Sequence, residues 1–187
     1  GQPLANSSLS WRVTSSNYFF QGVDGNYQFI DYDLVREARA QGEKSRTQGK
    51  GTTDAKGNFA FQVPADISKD LLSQRFIIEA TLTDDNKQQV SARTEMLVHK
   101  SEHYVGLRPE QYVAKTGDSA AVELIVVDKE RKPIAGSPVT VSFFHREWLS
   151  VKERQPDGSY LWTSKPEDTL IESRQITTDG SGKAKAS

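Results

Sequence analysis

The chain contains no cysteine. Disulfides, thiolate metal sites and a cysteine nucleophile are therefore excluded, and small vertebrate secreted domains, which usually carry disulfides, are a poor fit. No apolar run approaches the roughly 18 residues of a membrane span. A basic, apolar, small-residue leader is also missing, so any secretion or lipid signal is expected outside this chain. Neither sign of charge is in excess: 24 Lys and Arg oppose 25 Asp and Glu, for a net charge of −1. That balance denies the basic footprint of a nucleic-acid binder. No apolar pattern of 3.6-residue period reaches helical length, so helices are not expected to build the core.

What the chain does hold is one sentence written twice. PLANSSLSW at Pro3–Trp11 returns as PIAGSPVTV at Pro133–Val141, and TTDAKGN at Thr52–Asn58 returns as TTDGSGK at Thr177–Lys183. Each copy also carries an Asp-Gly pair, at Asp24-Gly25 and Asp157-Gly158. Ordered markers offset by roughly 125 to 130 positions mean tandem copies of one module. Strand signals dominate: Arg75–Thr83, Val90–Val98, Ser119–Val127 and Val139–Phe144 are rich in β-branched and aromatic residues. Asp84-Asp85-Asn86 reads as a hairpin turn, and both Asp-Gly pairs read as type I′ hairpin turns between strands. Asp54 with Gly57, and Asp179 with Gly182, are expected to close tight turns. Ala65–Gln74 has room for one or two helical turns, and Val35–Gly49 reads as loop or edge strand.

Short strands with turn signals every 8–12 residues or so predict antiparallel sandwiches. The reading is all-β: two tandem domains of fibronectin III or immunoglobulin-like build, residues 1–99 and 100–187. The first copy lacks a counterpart of residues 101–130 and the second a counterpart of 60–98. Both modules are thus expected to be cut short, the first without its opening strands and the second without its last ones. Neighbouring copies would then pair their open edges.

These residues carry a resemblance. The opening G-x-P-L-A-N-S-x-L-x-W, the run from TTDAKGNFAFQVP to YVGLRP, and the second opening GDSAAVELIVVDKERKPIAGSPVTVSF with its Trp-containing hairpin and TTDGSGKA resemble the macroglobulin-like domains of alpha-2-macroglobulins. The likeness covers essentially the whole chain, and the missing cysteine with the Trp148–Trp162 stretch looks more like bacterial members. It implies a large envelope protein that traps proteases: a bait segment is cut, the molecule rearranges, and in many members a thioester attaches to the attacker. The macroglobulin-like domains form the frame and do no chemistry. The thioester needs Cys-x-Glu-Gln, of which Glu110-Gln111 matches only the tail.

No catalytic or cofactor constellation competes with this. His99 and His103 with Glu102 offer metal-ligand types, but histidines spaced by four share a face only on a helix, and no further ligand lies nearby in sequence. His145 sits beside Arg146 and Glu147 as an exposed histidine. Asp31 with Asp33 would share one sheet face, and that pair, Asp84-Asp85 and Glu167-Asp168 are read as turn and surface carboxylates rather than a calcium site. Neither a G-x-S-x-G nor a glycine-rich phosphate loop is present. Val35–Lys50 and Lys152–Arg174 carry the basic residues a bait would expose, yet both read as inter-strand segments. The candidate inter-domain residues are His99, Tyr104, Gly106 and Pro109. Trp11 is assigned to the core, whereas Trp148 and Trp162 are the candidate partner-facing aromatics and could meet across their hairpin.

The expected function is thus a non-enzymatic structural module of a broad-spectrum endopeptidase inhibitor of the bacterial periplasm or cell surface. Its expected partners are neighbouring domains of the same parent chain and, through the parent, target proteases. No cofactor, metal or nucleic acid is expected, and a membrane only through an anchor outside the chain. The alternative is an immunoglobulin-like repeat of a surface adhesin or carbohydrate-binding protein. An exposed row of aromatics would favour that alternative; aromatics buried between sheets would favour the inhibitor frame.

Overall fold

β1 (Ser8–Asn17) sends Leu9, Val13 and Ser15 into the interior at a period of two, with Trp11 half-buried on the same face. In the computed structural model, which describes residues 3–84 and 86–187, this strand is central to a four-stranded antiparallel sheet. Gly1 of the opening motif and Asp85 of the predicted turn lie outside the described residues. β2 (Lys44–Thr52) flanks β1 on one side, and β3 (Gln74–Thr83) with β4 (Gln89–Val98) on the other, in the order β2-β1-β3-β4. The second layer is irregular: Phe61, Val63 and Ile67, between β2 and β3, close over Val13 and Phe76. The hairpin of β3 and β4 begins and ends within one residue of its predicted strands.

The chain divides into two units, Gly1–Val23 with Gln28–Tyr104, and Asp24–Tyr27 with Val105–Ser187. The division therefore falls inside β5 (His103–Pro109). In the second unit β5, β6 (Val122–Asp128) and β9 (Lys183–Ala186) form one sheet in the order β5-β6-β9. β7 (Pro138–Arg154) and β8 (Tyr160–Thr177) form a long antiparallel ribbon. Leu124, Val126 and Ala186 from the first sheet meet Val141, Val139, Phe143 and Ile176 from the base of the ribbon, which makes this unit a two-layered sandwich.

One turn recurs five times: Asp54–Asn58, Asp84–Gln88, Asp128–Lys132, Gln155–Ser159 and Asp179–Lys183. In each, the first residue's N–H donates to the fifth carbonyl at 2.7–3.0 Å and the fourth N–H donates back to the first carbonyl at 2.9–3.0 Å. The fourth residue is left-handed throughout, with φ between 64° and 85°. Where the first residue is Asp, its Oδ1 accepts the fifth N–H at 2.7–3.0 Å. In the four of these turns whose residues are all described, a single positive φ makes this a type I turn with a following left-handed residue, which corrects the expected type I′ geometry at Asp157-Gly158. Asp157 instead sits mid-turn and accepts from Ser159.

Four further expectations are corrected. Asp24-Gly25 joins no hairpin: the Gly25 carbonyl accepts from Arg108, and the Tyr27 hydroxyl donates to Glu123, within the second unit. Val35–Gly49, read as loop or edge strand, is helical in its first part, as the end of α1 (Tyr32–Ala40), and an edge strand only from Lys44, where β2 begins. Asp31 and Asp33 lie on no sheet face, because the Asp31 carboxylate caps α1 by accepting from Asp33 and Leu34 at 2.9 and 3.2 Å. Ala65–Gln74 holds no helical turn: a single turn is closed by the Asp70 N–H on Ile67, and Gln74 already opens β3.

Candidate functional site

The repeated sentence folds into the same clamp in both units. In the first, the Thr53 hydroxyl accepts the Ser7 N–H at 2.9 Å and donates to the Leu4 carbonyl at 2.7 Å. In the second, the Thr178 hydroxyl accepts the Ser137 N–H at 2.9 Å and donates to the Ile134 carbonyl at 2.7 Å. Both threonines are buried; each also donates its backbone N–H to the carbonyl of its serine, at 3.1 and 3.0 Å, while its own carbonyl accepts from the preceding Asn6 or Gly136, at 3.1 and 3.0 Å. Asn6 and Gly136, at φ 52° and 69°, turn the chain between proline and serine. The clamp explains the paired glycines of TTD-x-x-G. A Cβ at left-handed Gly57 would come within 2.8 Å of the Pro3 Cβ, and one at Gly182 within 2.8 Å of the Pro133 Cβ. The P-x-A-x-S and TTD-x-x-G stretches are two halves of one device that ties a strand's start to the end of its partner.

The first unit adds a buried charge. Asp70, only 2% exposed, accepts from Lys44 and Arg46, each at 2.7 Å. Arg46 is the bulged residue of β2, since Val13 pairs Thr47 and Thr14 pairs Ser45. The bulge turns its guanidinium inward, where Nε donates to Ser15 at 2.7 Å and a terminal nitrogen reaches Gln74 at 3.2 Å. Ser15 in turn donates to Gln74, whose amide reaches Asn17. Burial pushes the Asp70 carboxyl up, but the hydrogen bonds and charges of Lys44 and Arg46 together outweigh it and hold it below its usual range.

The second unit contributes a ribbon whose apolar side changes. At its base Val139, Val141 and Phe143 face the core. Phe143 pairs Glu172 and Phe144 pairs Leu170, so Ile171 is an extra residue in β8. Beyond this bulge the face opposite to Phe143 carries the cross-strand pairs Phe144–Leu170, Arg146–Asp168, Trp148–Pro166, Ser150–Ser164, Lys152–Trp162 and Arg154–Tyr160. Phe144, Trp148, Tyr160, Trp162 and Leu170 are each more than half exposed. Arg146 grips Asp168 at 2.7 and 2.6 Å and lies 5.9 Å from the Trp148 ring centroid, and Lys152 lies 4.5 Å from that of Tyr160. Arg146 also holds the Asp168 carboxyl below its usual range.

The residues singled out in the sequence scatter across this frame. His99 Nδ1 lies 2.7 Å from the Tyr104 hydroxyl, and Tyr104 stacks on Phe20 at 3.9 Å, all within the first unit. Gly106 is buried in β5 and Pro109 ends that strand. Trp11 stacks on Phe61 at 4.2 Å and covers Gly49, where a Cβ would come within 2.6 Å of its ring. Trp148 and Trp162 share the ribbon's outer face but oppose Pro166 and Lys152, so they do not meet across the hairpin. Glu167 and Asp168 lie in β8 on opposite faces rather than in a turn, and Lys152–Arg174 is hydrogen-bonded ribbon apart from its tip. His103 and His145 are exposed, the latter 3.5 Å from Glu147. Among the described residues no three His, Asp or Glu side chains converge as a metal site requires. Nor, among them, is any helix long and apolar enough to cross a membrane.

A β-sandwich frame with repeated clamps is the class these features define, and comparison narrows it. Residues 106–187 match the family described as bacterial macroglobulin domain 6. The whole chain aligns with the native conformation of Escherichia coli alpha-2-macroglobulin at 15% identity and a TM-score of 0.63, covering 100% of this chain and 12% of that one. Salmonella alpha-2-macroglobulin reacted with methylamine gives 14%, 0.63, 100% and 13%. Escherichia coli alpha-2-macroglobulin activated by porcine elastase gives 14%, 0.56, 96% and 16%. No curated protein matches in sequence. Residues 106–187 are thus similar to a bacterial macroglobulin domain, the whole chain shares the fold of the solved alpha-2-macroglobulins, and it spans about an eighth of their length.

Proposed function

We propose that this chain is a structural segment of a larger alpha-2-macroglobulin-like endopeptidase inhibitor of the bacterial cell envelope, periplasmic or surface-exposed. Its two units, near residues 1–99 and 100–187, act as consecutive macroglobulin modules in the frame around a bait-and-trap mechanism. They do no chemistry themselves. The match of residues 106–187 to bacterial macroglobulin domain 6 carries this reading. The clamps suit the role, because a rearrangement is transmitted between sites only through elements that keep their shape. Neighbouring domains of the parent are the first partners, and target proteases are met through the parent.

A second observation favours a binding surface within that frame. Trp11 lies between layers, as a frame requires, but Trp148 and Trp162 are 56% and 67% exposed. We read the outer face of the ribbon as a surface that other protein covers, rather than as a sign of a free-standing adhesin. The complete parent chain tests the main reading when mixed with elastase. Cleavage of a large protein substrate should stop while hydrolysis of a small chromogenic peptide continues. Unimpeded digestion of both substrates would refute the inhibitor role.

A further inference from the structure

The outer face of the ribbon is a second apolar surface of its unit, and its construction says what it fits. A ribbon that merely extended the core sheet would keep its apolar residues on the side of Val141 and Phe143. Instead the Phe143-Phe144 doublet and the extra Ile171 set the exposed aromatics Phe144, Trp148, Tyr160 and Trp162 on the opposite side, leaving the aliphatic Leu149, Val151 and Leu161 on the inner one. Bulges re-aim side chains beside functional surfaces, and two strands alone do not bury enough to be stable uncovered. Aromatic and arginine side chains are also the types that dominate binding energy at protein interfaces. Charge then selects the partner. The outer face carries Arg146, Lys152 and Arg154 against Asp168 alone, three cations to one carboxylate. The inner face of the same stretch carries Glu147, Glu153 and Glu167 against Lys165 and His145. The aromatic face is thus the positive one.

We propose that this face docks an acidic protein surface bearing apolar or aromatic side chains, held by Trp148 and Trp162 and oriented by Lys152 and Arg154. The proposal rests on the reading of the ribbon as an interface, and gives that interface a chemistry. Apolar contact with the rings supplies affinity. The cations steer acidic surfaces in and repel basic ones. Arg146 is already engaged by Asp168, so Lys152 and Arg154 carry the selection.

The test uses the 187-residue chain and a fluorescent random copolymer of glutamate and tyrosine as the acidic probe. A lysine–tyrosine copolymer, heparin and oligo-dT serve as comparisons, with binding read by fluorescence anisotropy. The acidic copolymer should bind, and Trp148→Ala or the double variant Lys152→Glu/Arg154→Glu should weaken it at least about tenfold. Glu153→Gln on the inner face should leave binding unchanged. All these side chains but that of Glu153 are well exposed, and circular dichroism verifies that each variant folds. Equal binding of the basic copolymer would overturn the proposal. So would heparin or oligo-dT binding as tightly and with the same sensitivity, which would mark a general polyanion surface. Self-association in sedimentation velocity that Trp148→Ala abolishes would overturn it in favour of a second copy. None of these failures touches the elastase assay, which stands or falls on the inhibitor frame.

Discussion

Among the described residues each unit shows a β-bulge, and the two do opposite things. In the first, the extra Arg46 turns a charge inward to meet Asp70, Ser15 and Gln74. In the second, the extra Ile171 turns apolar side chains outward, away from the sandwich core. The same irregularity thus fixes an interior in one module and builds a surface in the other. Around it the clamps are alike almost bond for bond. A repeated module keeps the device that closes it and varies the strand that meets the outside.

The sharpest way to break this comparison is at Asp70. Asp70→Ala leaves Lys44 and Arg46 without their shared partner, and losing one member of a buried ion pair costs about 3–5 kcal/mol. Urea denaturation followed by hydrogen exchange should place that loss in the first unit, with protection of β6 and β9 unchanged. A smaller effect should be symmetric. Gly57→Ala and Gly182→Ala each force a left-handed alanine against a proline, at about 3 kcal/mol from backbone strain and overpacking. Each variant should weaken its own unit by a similar amount in thermal unfolding.

Acid should separate the units without mutation. The folded-state carboxyl of Asp70 titrates below its ordinary 3.8, so its contribution is fully present above that value. It is lost as the pH falls through the lower folded value. Circular dichroism and exchange below pH 4 should show the Asp70 network opening, and Asp70→Asn should flatten that dependence. The smallest effect is expected on the ribbon. Trp148→Ala and Trp162→Ala remove exposed rings and should change stability by no more than about 0.5 kcal/mol, while altering binding.

The repeat, the strand content and the β3–β4 hairpin were legible because they rest on local signals: turn residues at fixed offsets, and β-branched runs. The clamp was half legible. Its two stretches stood out as repeats, yet nothing in sequence says that a threonine hydroxyl will lie against a serine 46 or 41 positions away. α1 was missed because only Val35 and Ala38 are buried on it, too few for an apolar stripe. Its signals were the capping Asp31 and left-handed Gly42 just past the end. Asp24-Gly25 misled because a turn dipeptide specifies a bend but not the strands it joins. The ribbon's change of side was written in the Phe143-Phe144 doublet, which breaks the alternation of VTVSF. Its meaning depends on the bulge in the partner strand, which no single strand reveals.

The most direct test of two modules closed by one device compares Thr53→Val with Thr178→Val by site-resolved amide hydrogen exchange. Each substitution strands a half-buried serine N–H and the carbonyl of Leu4 or Ile134, and should cost about 1–3 kcal/mol. Protection should fall only in the unit that carries the change, and by similar amounts in the two variants. Loss of protection in both units from either substitution, or from one variant alone, would contradict the account.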